Sequence, residues 1–169
     1  MTDRENKIVR FFKKWEGGYS NHPLDTGGCT MIGVTIGTYR NYFGQDKTCD
    51  DLKHIKDEEW LYIFRKGYYN LVKADNIIND SIALMVVDMA WMSGPITTIK
   101  QIQQCFNLKV DGIIGKITLA ALNGDPKVVF NKLYQMRKNY FLKLVDKRPS
   151  NKVFLKGWLN RLNDIKYEN

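Results

Sequence analysis

Two carboxylates and a hydroxyl, Glu16, Asp25 and Thr30, stand around a glycine-rich stretch, Trp15-Glu16-Gly17-Gly18-Tyr19-Ser20-Asn21-His22-Pro23-Leu24-Asp25-Thr26-Gly27-Gly28-Cys29-Thr30. Paired carboxyls serve acid–base chemistry when one keeps its proton and the other does not. Glycoside hydrolysis needs such a pair, one group protonating the leaving oxygen and the other activating water or attacking the anomeric carbon from the far side of the ring. The spacing therefore reads as that of a glycosidase. The same residues also suit plain structure, with Glu16 as a solvated helix end, Asp25 as a turn residue before Thr26-Gly27 and Thr30 as a strand residue.

The elements that must hold these groups follow from periodicity. Ile8, Phe11, Phe12 and Trp15 recur at helical spacing and Gly17-Gly18 stops the run, which predicts Glu16 at a helix C-terminus. There the helix carbonyls disfavour negative charge and Trp15 helps exclude water, so both effects raise the proton affinity expected of Glu16. Gly17, Gly18, Gly27, Gly28 and Gly33 punctuate short segments holding Tyr19, Thr30, Ile32, Val34 and Thr35. This predicts a small hairpin that folds Asp25 and Thr30 back towards Glu16.

Further along, Asp57 is the expected cap of a helix carrying Trp60, Ile63, Phe64 and Leu71, with Tyr68 and Tyr69 near its end. Asp80 or Ser81 is the expected cap of the stretch from Ile82 to Trp91, which is apolar almost all round and reads as a central buried helix. Asp88 lies inside that helix, so it must be paired, hydrogen-bonded or turned to a cleft. Support of an active site and a structural hydrogen bond are both open to it. Trp91 and Tyr69 are candidates for sugar stacking, with core packing as the alternative.

Charge is unevenly spread. Residues 1–125 hold 15 Lys plus Arg against 15 acids and residues 126–169 hold 11 against 3, so the whole net charge of +8 sits in the last quarter. That quarter reads as two amphipathic helices. Pro126 follows Asp125 at a helix start, Val129, Leu133, Met136, Tyr140 and Leu144 form one stripe, and Ser150 is placed to cap a helix with Phe154, Trp158, Leu162 and Ile165 inward. Lys127, Lys132, Arg137, Lys138, Lys143, Lys147, Arg148, Lys152, Lys156, Arg161 and Lys166 are then expected on the outer faces. A basic outer surface attracts an anionic polymer. Neither a recognition-helix motif, nor zinc-finger spacing, nor an aromatic RNA-binding signature accompanies it, so no specific nucleic acid is expected.

Cys29, Cys49 and Cys105 lack metal-ligand spacing and read as three reduced thiols; no metal and no cofactor is expected. Without an 18-residue apolar run or a signal-peptide hydrophobic region, the chain as given is expected to be soluble and made in the cytoplasm.

Glu16, then Asp25 nine residues on, then Thr30 resembles the catalytic signature of phage-type lysozymes. The wider pattern Glu16-Gly17-Gly18-Tyr19 with Asp25-x-Gly27-Gly28-x-Thr30-x-x-Gly33-Val34-Thr35 resembles glycoside hydrolase family 108, N-acetylmuramidases also described as secretion-activating proteins. Similar stretches recur at Tyr62 to Tyr69, Asp88-Met89-Ala90-Trp91 with Gly94-Pro95, Asp111 to Thr118 and Phe154 to Arg161, so the resemblance spans nearly the whole chain. Asp111-Gly112-Ile113-Ile114-Gly115-Lys116-Ile117-Thr118 is also similar to the turn of small peptidoglycan-binding modules. The chain departs from the family pattern in having Tyr69 for a frequent Trp and Met92 for a frequent Asn; Ser93 is then the neighbouring residue able to replace a lost amide contact.

The resemblance implies a mainly α, lysozyme-like helical fold with a small β-hairpin near the N-terminus. It implies a catalytic lobe over residues 1–94 and a peptidoglycan-binding-like lobe over 95–169, packed as one compact unit. The implied activity is cleavage of the β-1,4 bond between N-acetylmuramic acid and N-acetylglucosamine, with Glu16 as general acid, Asp25 and Thr30 positioning water, and Tyr19, Tyr69, Asp88, Trp91 and Ser93 about the substrate. A carboxyl separation of about 6.5 to 9.5 Å, which inverts configuration, is expected between Glu16 and Asp25. Peptidoglycan is the implied partner, with other anionic envelope polymers drawn by the basic 126–169 face. Such an endolysin-like enzyme would act in the periplasm or cell wall after release or non-classical export. Two other readings stand beside it: a non-catalytic peptidoglycan-binding or secretion-activating protein on the same fold, and a basic nucleic-acid-binding helical domain.

Overall fold

The computed structural model describes residues 1–21 and 28–169. Of the described residues 69% are helical, and the paired strands lie within residues 30–35, a mainly α, lysozyme-like fold. It forms two compact units, Met1–Gly67 and Tyr68–Asn169.

The first unit opens with α1 (Asp3–Trp15), capped by Thr2, whose hydroxyl accepts from the Glu5 N–H while the Glu5 carboxylate accepts from the Thr2 N–H. This reciprocal box satisfies two amides that the first turn leaves without helical partners. Its apolar stripe buries Ile8, Val9 and Phe12. A hairpin of β1 (Thr30–Met31) and β2 (Val34–Thr35) follows, then α2 (Ile36–Phe43), α3 (Cys49–Lys53) and α4 (Asp57–Phe64). Phe12 meets Phe64 edge-on at 5.8 Å and Phe64 stacks on Trp60 at 5.4 Å, which joins α1 to α4. Glu5 is buried, and Arg65 grips both its oxygens at 2.6 and 2.9 Å. Asp57 is the first residue of α4 rather than its cap. Lys56 holds that place, its N–H donating to the Glu59 carboxylate at 3.0 Å. The run then continues as a π-helix over Arg65–Tyr69.

The second unit is built on α5 (Asp80–Ser93), in which every residue from Ser81 to Ala90 is buried. Asn79, not Asp80 or Ser81, caps it, its side-chain oxygen accepting from the amides of Ser81 and Ile82. A cap one residue earlier keeps Ser81 free to receive the Glu168 amide at 2.9 Å. Packed around α5 are α6 (Pro95–Cys105) and α8 (Pro126–Lys147). α7 (Lys116–Leu122) and α9 (Lys152–Asp164) each pack on α8. The α5–α6 corner turns at Gly94, whose φ of +80° a residue with a Cβ rarely adopts, and Pro95 then starts α6. The position 94/95, expected as a boundary, lies within the second compact unit, Tyr68–Asn169.

Several expectations for the basic quarter are corrected. The buried stripe of α8 is Val129, Phe130, Leu133, Arg137 and Phe141, so Arg137 faces inward, 1% exposed. Arg161 of α9 is buried too. Both guanidiniums find acceptors on α5, which makes an inward position tolerable. Ser150 does not cap α9: residues Pro149–Asn151 form a short 3-10 turn, and Phe154 points out, 56% exposed.

The reduced state read for the cysteines is also corrected. Cys29 and Cys49 form a disulfide that ties the base of the hairpin to the first residue of α3, leaving Cys105 as the free thiol. Both partners sit next to residues the backbone already fixes, Thr30 in β1 and Thr48 at the α3 cap. Sequence spacing alone carries no sign of this proximity. No described helix is long and apolar enough to cross a membrane.

Candidate functional site

Glu16 is the C-cap residue of α1, as the glycine stop predicts. Its N–H donates to the Phe12 carbonyl at 2.7 Å, and its own φ and ψ, −82° and 133°, take the chain out of the helix. Gly17 and Gly18 have no neighbour among the described residues within 4 Å of an added Cβ. Tyr19 follows at the surface with the Lys53 ammonium 5.7 Å from its ring centre.

The chain then runs antiparallel to β1. Ser20 and Thr30 exchange both backbone hydrogen bonds, at 2.9 and 2.8 Å, and Thr30 pairs on its other side with Thr35. Thr30 is thus the middle position of three adjacent backbone segments, tied through Ser20 to a point four residues in sequence from Glu16. The hairpin closes through Ile32 and Gly33, with φ of +46° and +73°. Positive φ at both central positions gives the twist a two-residue hairpin needs, and it is strained at a β-branched residue such as Ile32. The Trp60 indole N–H donates to the Ile32 carbonyl at 3.0 Å and holds the turn in place. Thr35 caps α2 by accepting from the Thr38 amide, and the Ile36 amide donates to the Cys29 carbonyl. Asp25, with the Thr26-Gly27 turn and the expected Glu16–Asp25 separation, lies outside the described residues.

The other site candidates belong to the second unit. Asp88 is buried and paired, accepting from Arg161 Nε at 2.8 Å. Ser93, at the end of α5, accepts from Arg137 Nη1 at 2.8 Å. The Arg137 guanidinium lies 4.5 Å from the Phe141 ring centre and 5.0 Å from that of Tyr140. Its Nε and Nη2 have no oxygen partner among the described residues. Burial pushes Arg137 down to about 10, while nearby Asp88 pulls it back up. The two arginines thus bracket the last turns of α5 and fix Asp88 and Ser93. Trp91 is half-buried with its ring 4.6 Å from that of Tyr68. Tyr69 is 1% exposed and donates to Asp75 at 2.5 Å.

One organising residue escaped the sequence reading. Gln103 is buried, donates to Asp111 Oδ1 at 2.7 Å and to the Ile113 carbonyl at 3.0 Å, and accepts from the Gly112 amide at 2.9 Å. Its amide replaces a backbone ladder for the Asp111-Gly112 turn, where Gly112 has a φ of +77°. The sign available in sequence was the polar residue in the apolar register of α6, next to Ile99 and Ile102. Among the described residues no group of three His, Cys, Asp or Glu could hold a metal.

Residues 9–94 match the family model described as glycosyl hydrolase 108, and residues 96–163 match the one described as predicted peptidoglycan domain. No curated protein matches the chain. Among solved structures it is similar to Brucella abortus SagA, at 28% identity and a TM-score of 0.82, over 96% of this chain and 90% of that one.

Proposed function

Since the chain belongs to the glycosyl hydrolase 108 family and carries a peptidoglycan domain beside it, we propose that it is an N-acetylmuramidase, within the coarser class of peptidoglycan-related glycosidases and activators that these matches define. The observation that carries the reading is the backbone tie of Thr30 to Ser20, four residues beyond Glu16 at the end of α1. It supports a constellation in which a carboxyl on a helix end and a hydroxyl on a strand are held by main chain rather than by flexible side chains.

In this reading Glu16 gives its proton to the glycosidic oxygen as the bond to C1 of N-acetylmuramic acid breaks. Asp25 orients a water, with Thr30 as a supporting hydrogen-bond partner, and takes the proton the water loses on attacking C1. Glu16 is then recharged from solvent. Tyr19 offers an exposed ring to a sugar, and in the second unit Trp91 and Ser93 are the proposed contacts, with Asp88 and Tyr69 supporting them from within. Residues 1–94 act as the catalytic part and 95–169 as the wall-binding part. The exposed lysines of 126–169 add attraction to other anionic envelope polymers, and the site of action is the periplasm or wall after release or non-classical export.

Release of soluble muropeptides from purified peptidoglycan tests this, with mass spectrometry of the new reducing ends. Wild type should yield ends in N-acetylmuramic acid, and a folded Glu16→Gln variant none. Wild type that sediments with the wall and releases nothing would replace the reading with a non-catalytic, secretion-activating role.

A further inference from the structure

The hairpin of α8 and α9 ends in a surface that wall hydrolysis does not use. Val153 and Phe154, in the first turn of α9, are 77% and 56% exposed. Exposed around the same tip are Lys143, Lys147, Arg148, Lys152 and Lys156, against the single carboxylate Asp146. Five cations are thus spread over the last two turns of α8, the connection and the first two turns of α9, the stretch that also carries the two exposed apolar side chains.

The tip is also firmly built. Phe154 stacks on Trp158 at 5.9 Å, and Trp158 stacks on buried Phe141 at 5.3 Å, so a ladder of rings runs from the core of the unit to the exposed end. Asn151 donates to the Leu144 carbonyl at 3.1 Å and closes the connection behind Pro149. Gly157, one turn after Phe154, meets nothing within 4 Å of an added Cβ, so the flank of the tip is open.

We propose that this tip docks on the surface of an anionic phospholipid bilayer, with Val153 and Phe154 entering the headgroup–acyl boundary and the five cations meeting lipid phosphates. A soluble or wall-bound polyanion would reward the cations alone and leave both apolar side chains in water. A bilayer rewards both, since phosphate charge and hydrocarbon lie a few ångströms apart along one normal. The preset Phe154 rotamer means that little side-chain freedom is lost on docking. The proposal stands whether or not the glycosidase reading holds.

The test is sedimentation of the full chain with sucrose-filled vesicles of phosphatidylcholine, with and without phosphatidylglycerol, beside sedimentation with insoluble peptidoglycan. Wild type should follow the anionic vesicles and not the neutral ones. Val153→Ser/Phe154→Ser should weaken that partition on the order of tenfold or more, and Lys147→Glu/Lys152→Glu roughly a hundredfold. Both variants should keep wild-type helical signal and melting temperature, and the serine variant should keep wild-type peptidoglycan sedimentation. The idea is overturned if wild type ignores anionic vesicles, or if the serine variant partitions as wild type while the charge reversal does not, which marks a polyanion surface. Loss of peptidoglycan sedimentation by the serine variant with its vesicle binding intact overturns it as well.

Discussion

Ser20 and Thr30 face each other across an antiparallel pair and exchange both main-chain hydrogen bonds. The nine residues between them, 21–29, include Asp25 at their midpoint in sequence. One end of that segment is tied to the exit of α1 and the other to β1, so Glu16 and Thr30 share a backbone frame that a side-chain substitution leaves intact.

Thr30→Val keeps shape and strand preference and removes only the hydroxyl. Muropeptide release should fall by roughly 10- to 100-fold, as expected for loss of a partner in proton transfer or water positioning, with an unchanged melting temperature. Activity equal to wild type would confine Thr30 to the ladder.

The Cys29–Cys49 bridge spans a sequence separation of 20. A loop of that size stabilises by about 3 kcal/mol, so Cys29→Ser/Cys49→Ser, or reduction, should lower the melting temperature by roughly 10 °C. Identical melts with and without reductant would count against the bridge as a stabilising tie.

Arg161 and Arg137 should respond differently to replacement. Arg161→Met takes the guanidinium from buried Asp88 and should cost about 3 to 5 kcal/mol, while the paired change Asp88→Asn/Arg161→Met should recover much of it. Arg137→Met exchanges a desolvated cation held between Tyr140 and Phe141 for an apolar chain and should cost less than about 1.5 kcal/mol. Denaturant unfolding of the four proteins decides it; equal costs for the two arginines would refute the distinction.

Glu5 makes the first unit acid-sensitive. The Arg65 hydrogen bonds hold its carboxyl below the ordinary value of 4.5, so its contribution is fully present above that value and is lost as pH falls through the lower folded one. Glu5→Gln should lose about 1 to 3 kcal/mol at neutral pH, and the gap to wild type should close below about pH 4.5. A gap that stays constant down to pH 3 would assign the loss to packing.

Hydrolysis by a water held on Asp25 should invert the anomeric centre. Proton NMR of the first product formed should show the α anomer before mutarotation. The β anomer would instead point to a covalent intermediate.

The fold was legible wherever one periodic signal dominated. Ile8, Phe11, Phe12 and Trp15 announced α1, and the unbroken apolar run from Ile82 announced α5. Glu16 at a helix end and the short hairpin also followed from local glycine chemistry. What escaped detection rests on tertiary partners. Arg137 and Arg161 belong by residue type on a surface, and tertiary partners draw them in, the Ser93 hydroxyl and the Tyr140 and Phe141 rings for one and the buried Asp88 carboxylate for the other. Asp88 did announce that it needed a partner, though not which of the 26 Lys and Arg residues would supply it. The bridge between Cys29 and Cys49 depends on α3 folding against β1, a contact no periodicity encodes. Phe154 matched the inner stripe of α9 and stacks on Trp158 of that stripe, but it stands in the first turn of the helix and is 56% exposed while Leu162 and Ile165 are buried.

The long buried face of α5 separates what is inherited together from what folds together. By family match this helix belongs with the hydrolase segment, residues 9–94, yet its neighbours come from α6 and α8 and its partners from Arg161 and Glu168. A chain cut at the α5–α6 corner would strip α6 and α8 from a helix in which every residue from Ser81 to Ala90 is buried. During synthesis the same stretch must wait for residues more than seventy positions downstream before it is covered. Shuffling of the hydrolase segment onto another wall-binding partner would therefore succeed only where the incoming partner brings its own cover for α5.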